Sequence, residues 1–470
     1  MNLAQVLPRL ARREKQTHMM ASTLFCIAAV LAVIAALGDW EAARITAALA
    51  LAGFVLIEMR LIPRLQQLAA LALLGLAALL AGGVSDFAQA LGQGVVRTLP
   101  FLLIFASVGW LRSAASESPS MIALREGLAQ LGAGWRFAAL GLSAHLMGAG
   151  FNLAGIGLLV PMLDAPSPDD SPAKARDGVR LRCAILWGFG AATCWSPFFV
   201  GTAAILAVLP MVGWAQVAPY GMTFAAGFLI YAMIYNRYLR GATRQSPPNG
   251  TSAAALLLRP ALRLAGAVAL LYAVTLTVIE GGGLALTTAI ALIAPLFALG
   301  WLLLIHGRQR PARIGKVLTG IFHGYPAMRT ETALFVCANV FGVAIDMMLH
   351  RQGMTGSDLG WLSTGSVFLN CLLTFWAYLA ICALGIHPIV LVVVFASVAD
   401  PLTLGLPLPV LAATMMALWG MGTSVSPLSG TTLLVAQLSG TSSFRVAWRW
   451  SGVFYILAAV WLAAAVSLLG

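Results

Sequence analysis

Two short stretches of this sequence concentrate hydroxyl side chains around a proline and a glycine. They run from 193 to 202 and from 423 to 432. Within each stretch, proline removes a backbone donor and frees carbonyl oxygens one turn earlier, and glycine lets a ligand approach the backbone. Hydroxyl and carbonyl oxygens are hard donors that suit a small cation, whereas the amides at the start of a half-helix suit an anion. Both stretches therefore predict ion-binding breaks in helices.

The residues able to bind at these breaks, and at two neighbouring tips, form two predicted sets. The substrate-binding set is Asn152, Ser196, Thr202, His387, Ser426 and Thr431. The cation-coupling set is Gly150, Thr193, Gly201, Thr423, Ser424, Ser429 and Gly430. Asn152 carries both donor and acceptor groups, and an imidazole such as that of His387 titrates near neutral pH in water. Two plainer roles stay open, because a hydroxyl can bond its own helix four residues back and His387 can make a structural hydrogen bond.

The composition predicts membrane helices as the elements that position these residues. Hydrophobic residues make up 60% of the chain and charged residues 9%, whereas soluble domains carry about 25% charged residues. The apolar residues form runs close to the ~20 residues that a helix needs to cross a bilayer. The formal charge of +12 shows no basic stripe interleaved with aromatic residues, so we expect a lipid bilayer and no nucleic acid as a partner.

The order of apolar runs predicts an all-α polytopic membrane protein with about eleven transmembrane helices and two re-entrant hairpins. The hairpins are 138–162 and 362–399. If each hairpin returns to the side from which it entered, all of the 28 Lys and Arg residues except Arg44, Arg97 and Arg351 face the cytoplasm, in keeping with the positive-inside rule. We therefore predict a cell inner-membrane protein with a cytoplasmic N-terminus and a periplasmic C-terminus.

An internal repeat relates the two halves of the chain at an offset of about 230 residues. Trp187-Gly-Phe-Gly190 matches Trp419-Gly-Met-Gly422, Ser196-Pro197 matches Ser426-Pro427, and Gly201-Thr202 matches Gly430-Thr431. The first half holds an odd number of crossings, so we predict two inverted repeats, as in many secondary transporters. The predicted segments are an N-terminal basic segment with an extra first helix (1–42), a first repeat (43–237, with hairpin 138–162 and broken helix 181–210), a cytoplasmic linker (238–255) and a second repeat (256–470, with hairpin 362–399 and broken helix 407–437).

The order of these elements resembles the ion-transporter superfamily, particularly the divalent-anion:sodium symporters and the citrate and arsenite carriers. Residues 150–161 and 385–388 resemble the two hairpin tips of that family, and 193–202 and 423–432 resemble its two helix breaks. The tips depart from the family's Ser-Asn-Thr pattern, since Phe and Leu flank Asn152 and the second tip has no Asn. The resemblance implies an elevator-type mechanism, sodium or protons as the coupling ion with no other cofactor, and a homodimer joined through scaffold helices.

Together these features predict a secondary active transporter for a small anionic solute, organic or inorganic. The sequence has no H-E-x-x-H motif, no G-x-S-x-G motif and no Gly-rich phosphate loop with Lys, so we expect no enzymatic activity, no catalytic residue and no bound metal. Two alternatives stay open: a flippase for lipid-linked intermediates, and a membrane-embedded accessory subunit without transport of its own.

Overall fold

Helices form all the regular structure in the described part of the chain, as a computed structural model shows. The structure describes residues 3–131, 133–165, 167, 169–209, 211–239, 251–307, 311–353, 364–388, 390–392 and 406–469. The chain divides into two compact units. Unit 1 is Met1–Ala114 with Val274–Met348, and unit 2 is Ala115–Ala273 with Leu349–Gly470.

The helices are numbered here in chain order. The first eleven are α1 (Leu3–Gly38), α2 (Glu41–Glu58), α3 (Arg64–Ala81), α4 (Val84–Ser116), α5 (Pro119–Gln130), α6 (Ala133–Phe151), α7 (Ala154–Leu159), α8 (Pro172–Ala192), α9 (Val200–Val208), α10 (Trp214–Ile234) and α11 (Thr251–Gly282). The remaining described helices are α12 (Leu286–His306), α13 (Pro311–Gly324), α14 (Arg329–Gln352), α15 (Val367–Ala383), α16 (Leu408–Val425), α17 (Gly430–Leu438) and α18 (Val453–Ser467). A π-helical segment, Arg445–Gly452, leads into α18.

Unit 1 is held together by aromatic packing and a buried ion pair. The ring of Phe25 on α1 packs edge-on against Phe54 on α2 and stacks on Tyr325, with ring centroids 5.1 Å and 4.7 Å away. The Glu58 carboxylate at the end of α2 is 1% exposed and lies 3.3 Å from the Arg329 guanidinium. A buried carboxylate costs several kcal/mol unless it is paired, so this contact secures α2 against the start of α14.

Ten helical stretches among the described residues are long and apolar enough to cross a membrane, judged by length and composition. Large apolar side chains on them remain exposed, such as Leu79 at 77% and Leu304 at 87%. Exposed apolar surface of this kind is costly in water and is accommodated by lipid. The chain is therefore a multi-pass membrane protein.

The sequence predicted eleven transmembrane helices, and the one that is missing from the ten is the first broken helix. Its N-terminal half, α8, still carries four charged side chains in its last 18 residues, which are Arg176, Asp177, Arg180 and Arg182. The second broken helix has no charged residue from Leu408 to Leu438 and is among the ten. The sequence-based count treated both breaks alike because it weighed only the apolar part of 181–210.

The predicted first hairpin, 138–162, is a helix, a tight reversal and a second short helix. Helix α6 ends at Phe151, and Asn152 adopts a left-handed backbone conformation with φ of 53°. The chain then returns as α7, so closely that a Cβ on Gly155 would lie 3.0 Å from the Met147 Cβ. Asparagine tolerates this backbone region better than most residues with a side chain.

The predicted second hairpin, 362–399, lies only partly within the described residues. Its first arm is α15, which ends at Ala383, and the chain then turns through Gly385 with φ of +102°. Glycine suits this turn because it has no Cβ. Residues 362, 363, 389 and 393–399 of the predicted hairpin lie outside the described part of the chain.

Candidate functional site

The first break separates α8 from α9 in unit 2 and is closed by a network around Ser196. The Ser196 hydroxyl donates to the Ala149 carbonyl at 2.7 Å and accepts from the Phe198 amide at 3.2 Å. It also lies 2.9 Å from the hydroxyl of Tyr272, which itself reaches the Ala149 carbonyl at 2.8 Å. The Thr202 hydroxyl donates to the Ser196 carbonyl at 2.7 Å. The network joins the break to the end of α6 and to α11.

The second break separates α16 from α17. The Thr432 hydroxyl donates to the Ser426 carbonyl at 2.7 Å, and the Ser429 hydroxyl donates to the Thr423 carbonyl. Ser429 is also the N-cap of α17, because its oxygen accepts from the Thr432 amide at 3.1 Å. The Thr423 carbonyl, which Pro427 leaves without its helical donor, and the Ser426 carbonyl are thus capped by side-chain hydroxyls, which offsets the cost of burying them unpaired.

The two breaks share one hydrogen-bond pattern at a constant spacing in the chain. The Thr193 hydroxyl donates to the Gly190 carbonyl at 2.7 Å, as the Thr423 hydroxyl does to the Gly420 carbonyl at 3.1 Å. The Ser196 amide donates to the Ala192 carbonyl at 3.1 Å, as the Ser426 amide does to the Gly422 carbonyl at 2.8 Å. The Thr202 hydroxyl donates to the Ser196 carbonyl, and the Thr432 hydroxyl to the Ser426 carbonyl, both at 2.7 Å. In each pair the residue numbers differ by 230, as in 426 minus 196. Thr432 is therefore the structural counterpart of Thr202, one residue after the Thr431 with which the sequence comparison aligned it.

The two central serines differ in their hydrogen bonding. The Ser196 hydroxyl is fully engaged, as described above. The Ser426 hydroxyl is also completely buried, yet it has no hydrogen-bond partner among the residues that the structure describes. A buried hydroxyl without a partner costs about 1–3 kcal/mol. Ser426 is therefore the position in the two breaks where a bound ion or solute would gain most from a hydrogen bond.

Each tip packs against the break of its own half at corresponding positions. The Asn152 amide donates to the Phe198 carbonyl at 3.3 Å, and its side-chain oxygen accepts from the Leu153 amide at 2.8 Å. In the second half, a Cβ on Gly385 would lie 3.3 Å from the Leu428 side chain. Phe198 and Leu428 are again 230 residues apart. Asn152 is 8% exposed, so its amide is held inside the unit rather than projecting from it.

The Trp419 side chain lies against both the second tip and the first break. The imidazole of His387 packs edge-on against the Trp419 indole, with ring centroids 6.3 Å apart. A Cβ on Gly201, at the start of α9, would lie 2.5 Å from an indole carbon of Trp419. The close approach of indole and backbone explains why glycine occupies position 201.

The two broken helices cross where Gly190 and Gly420 face each other. A Cβ on Gly420 would overlap the Thr193 hydroxyl and lie 2.6 Å from the Gly190 carbonyl. A Cβ on Gly190 would lie 2.5 Å from the Tyr455 hydroxyl. Small residues at such crossings let two membrane helices approach closely, and this crossing holds the two breaks together in one unit.

The other predicted site residues either bond within their own helix or lie at a close helix contact. The hydroxyls of Thr193, Thr423 and Ser424 bond carbonyls of their own helices, at Gly190 for the first and Gly420 for the other two, which is the plainer role left open for such residues. Thr431 is buried at the start of α17, next to its first residue Gly430. Gly150 lies beside α11, where an added Cβ would be 2.6 Å from the Val268 side chain.

Sequence reasoning missed two tyrosines that support the hydroxyl network. Tyr272 on α11 contacts Ser196, and the Tyr455 hydroxyl on α18 donates to the Ser424 hydroxyl at 3.2 Å. Both tyrosines are buried. A tyrosine within a long apolar run was the only signal available, because it brings a hydroxyl that must find a partner.

Replacing Tyr272 by phenylalanine is expected to destabilise unit 2 by about 1 kcal/mol, because Ser196 and the Ala149 carbonyl each lose a hydrogen-bond partner while the ring packing is kept. The melting temperature of the detergent-purified protein measures this effect. Tyr238→Phe is the control, since Tyr238 is 73% exposed. Equal melting temperatures for the two variants would contradict the assignment of Tyr272 to the network.

Buried helix breaks inside a multi-pass helical unit, with a turn of the chain packed against each, define a helical membrane protein with discontinuous helices, as described for many transporters. Two solved structures are similar to this chain. The Alcanivorax borkumensis YdaH transporter, whose crystal structure has an unusual topology, matches with a TM-score of 0.54 and 16% identity, over 86% of this chain and 97% of that chain. Neisseria gonorrhoeae MtrF, which illuminates a class of antimetabolite efflux pumps, matches with a TM-score of 0.41 and 12% identity, over 79% of this chain and 81% of that chain.

No protein-family model matches the sequence, and no curated protein matches it significantly. The likeness to YdaH shows the fold.

Proposed function

We propose that this protein is a secondary active transporter that moves a small anionic solute, organic or inorganic, across the inner membrane. The proposal rests on the two matching helix breaks in unit 2. One buried hydroxyl in them, that of Ser426, has no hydrogen-bond partner among the described residues. Non-helical backbone at membrane depth is tolerated where it is buried in protein or lines a cavity. The two breaks are buried in unit 2, and the Ser426 hydroxyl is free to bond a solute there.

The polarity of the breaks favours an anion. They offer hydroxyl groups and the N-terminal amides of α9 and α17, and helix N-termini stabilise negative charge. Within the described part of the chain, the buried acidic side chain is Glu58 in unit 1, and unit 2 has none. A cationic solute would have no buried carboxylate in unit 2 to balance its charge. We propose no catalytic role for any residue.

The division of the chain is consistent with an elevator mechanism built on two inverted repeats. Unit 2 contains both tips and both broken helices, whereas unit 1 contains α1, α2, α3, α12 and α13. In the proposal, unit 2 is the moving transport unit and unit 1 the scaffold, through which two copies form a homodimer. The coupling ion, sodium or a proton, binds at the break carbonyls and hydroxyls.

Uptake into proteoliposomes tests the proposal. A panel of labelled carboxylates and oxyanions is presented with imposed sodium and proton gradients that are varied separately. We expect at least one anion to accumulate under one gradient and to lose that accumulation when an ionophore collapses the gradient. If no anion moves under either gradient in correctly reconstituted protein, the proposal fails and the flippase and accessory-subunit alternatives gain support.

A further inference from the structure

Unit 2 has a polar cavity beside the start of α8 and the end of α17, the ends of these helices that lie away from the breaks. The cavity has a volume of about 260 Å³ and is lined by Arg136, Asp164, Lys174, Arg182, Ser439 and Arg445, among others. Ser439 follows the last residue of α17, ten residues after the N-cap Ser429, so at 1.5 Å per helical residue the cavity lies about 15 Å from the second break. It is separate from the site proposed above.

A buried arginine forms one wall of this cavity. Arg182 is 3% exposed and its guanidinium donates to the Ser439 hydroxyl at 3.1 Å, to the Gly178 carbonyl at 3.0 Å and to the Asp164 carbonyl at 2.7 Å. These acceptors are uncharged, and they fix the plane of the guanidinium. An arginine has five N–H donors, so Arg182 keeps donors for a further acceptor. None of these three hydrogen bonds is to a carboxylate, so they leave its positive charge unneutralised.

A second guanidinium in the cavity has an unused donor. The Nε atom of Arg136, near the start of α6, is buried and makes no hydrogen bond to any residue within the described ranges. An unpaired buried N–H of a charged group is costly. Arg136 and Arg182 thus both have donors available to an acceptor inside the cavity.

The ionic side chains around the cavity leave it positive. Lys174 is paired with Asp170 at 2.9 Å, and Asp177 is paired with Arg180 at 2.8 Å. The Ser167 amide and the Lys174 ammonium hold the pKa of Asp170 below its usual range, so this pair stays ionised and neutral overall. The lining charges that remain are those of Arg136, Arg182 and Arg445 against that of Asp164.

We infer that this cavity binds a phosphate group. Arginine guanidinium groups bind phosphate oxygens through paired, charge-assisted hydrogen bonds, and three arginines against one aspartate favour an anion of more than one charge or a phosphate with a polar substituent. The same chemistry has two sources, a soluble phosphate ester and the headgroup of an anionic phospholipid. Because Arg136 and Arg182 line the cavity from the first half of the chain and Ser439 and Arg445 from the second, the ligand joins the two halves of unit 2.

Binding to the full-length protein tests this inference without any transport measurement. Labelled inorganic phosphate is titrated by equilibrium dialysis in detergent at constant ionic strength, with chloride as the competing anion. Retention of phosphatidylglycerol in nanodiscs, against phosphatidylcholine, is measured by native mass spectrometry. Arg136→Gln and Arg445→Gln remove cavity arginines, and Arg449→Gln is the matched control, because Arg449 lies on the same π-helical segment as Arg445 outside the cavity lining.

We expect Arg136→Gln to weaken phosphate binding or lipid retention about tenfold or more, since it removes charge-assisted hydrogen bonds, and Arg449→Gln to change neither appreciably. Phosphate binding assigns a soluble ligand, and lipid retention alone assigns a headgroup. The inference is overturned if the wild-type protein binds neither, if Arg136→Gln and Arg445→Gln bind as wild type does, or if Ser426→Ala abolishes the binding. None of these outcomes depends on whether the protein transports an anion.

Discussion

Ser426→Ala is expected to reduce anion transport about tenfold or more, the factor that a loss of ~1.4 kcal/mol in binding produces, while leaving protein stability almost unchanged. The Ser426 hydroxyl is buried and has no partner among the described residues, so its removal breaks none of the hydrogen bonds in the described part of the chain. A solute or coupling ion in the second break would lose one. Initial uptake rates in proteoliposomes, with melting temperature measured in parallel, check both parts of this prediction.

Ser196→Ala provides the matched control for Ser426→Ala, because the two serines occupy the same place in the two breaks. Removing the Ser196 hydroxyl leaves the Phe198 amide buried without that acceptor and deprives the Ala149 carbonyl of one donor. We expect a loss of about 1–3 kcal/mol in stability. If Ser426→Ala lowered the melting temperature as much as Ser196→Ala, the Ser426 hydroxyl would be structural, and its assignment to the solute site would be wrong.

The second large effect is expected at the helix crossing. Gly420→Ala places a methyl group against the Thr193 hydroxyl and 2.6 Å from the Gly190 carbonyl, so α8 and α16 must separate. Overpacking of a buried contact typically costs about 1–3 kcal/mol, and more where backbone has to move. We expect a clearly lower melting temperature and loss of transport, because separating the helices displaces both breaks.

Gly266→Ala is the control for the crossing. Gly266 lies within α11, also in unit 2, and an added Cβ would meet no atom within 4 Å. Alanine favours a helix over glycine by about 1 kcal/mol, so this variant is expected to be as stable as wild type or slightly more stable. Wild-type stability and transport in Gly420→Ala would show that α8 and α16 do not pack through this glycine.

The positions of the two helix breaks and of the first tip could be predicted because their signals are local in the chain. A serine-proline pair beside glycine and several hydroxyls marks a helix break whatever surrounds it, and both breaks, at 193–199 and 426–429, lie where the sequence places them. Asn152 similarly marks a reversal, which the structure contains at that residue. Transport, the anionic substrate, the coupling ion and the inverted arrangement remain predictions.

Hydrogen-bond partners could not be predicted, because they come from segments far apart in the chain. The Ser196 hydroxyl is engaged by Tyr272 on α11, whereas the hydroxyl of its counterpart Ser426 has no hydrogen-bond partner among the described residues. Two nearly identical local motifs therefore differ in what they can offer a ligand. The counterpart of Thr202 was misplaced by one residue for the same reason, since the bond to the Ser426 carbonyl identifies Thr432.

By itself the sequence determined the membrane class, the positions of the breaks and the residue types that line them, because hydropathy, proline and glycine act on the backbone within a few residues. The tertiary structure alone decided which hydroxyl has no partner among the described residues, and at which glycines α8 and α16 pack against each other. It also placed Arg136, Arg182 and Arg445 in one cavity. These properties depend on the packing of helices that lie up to several hundred residues apart in the chain, and no local pattern encodes that packing.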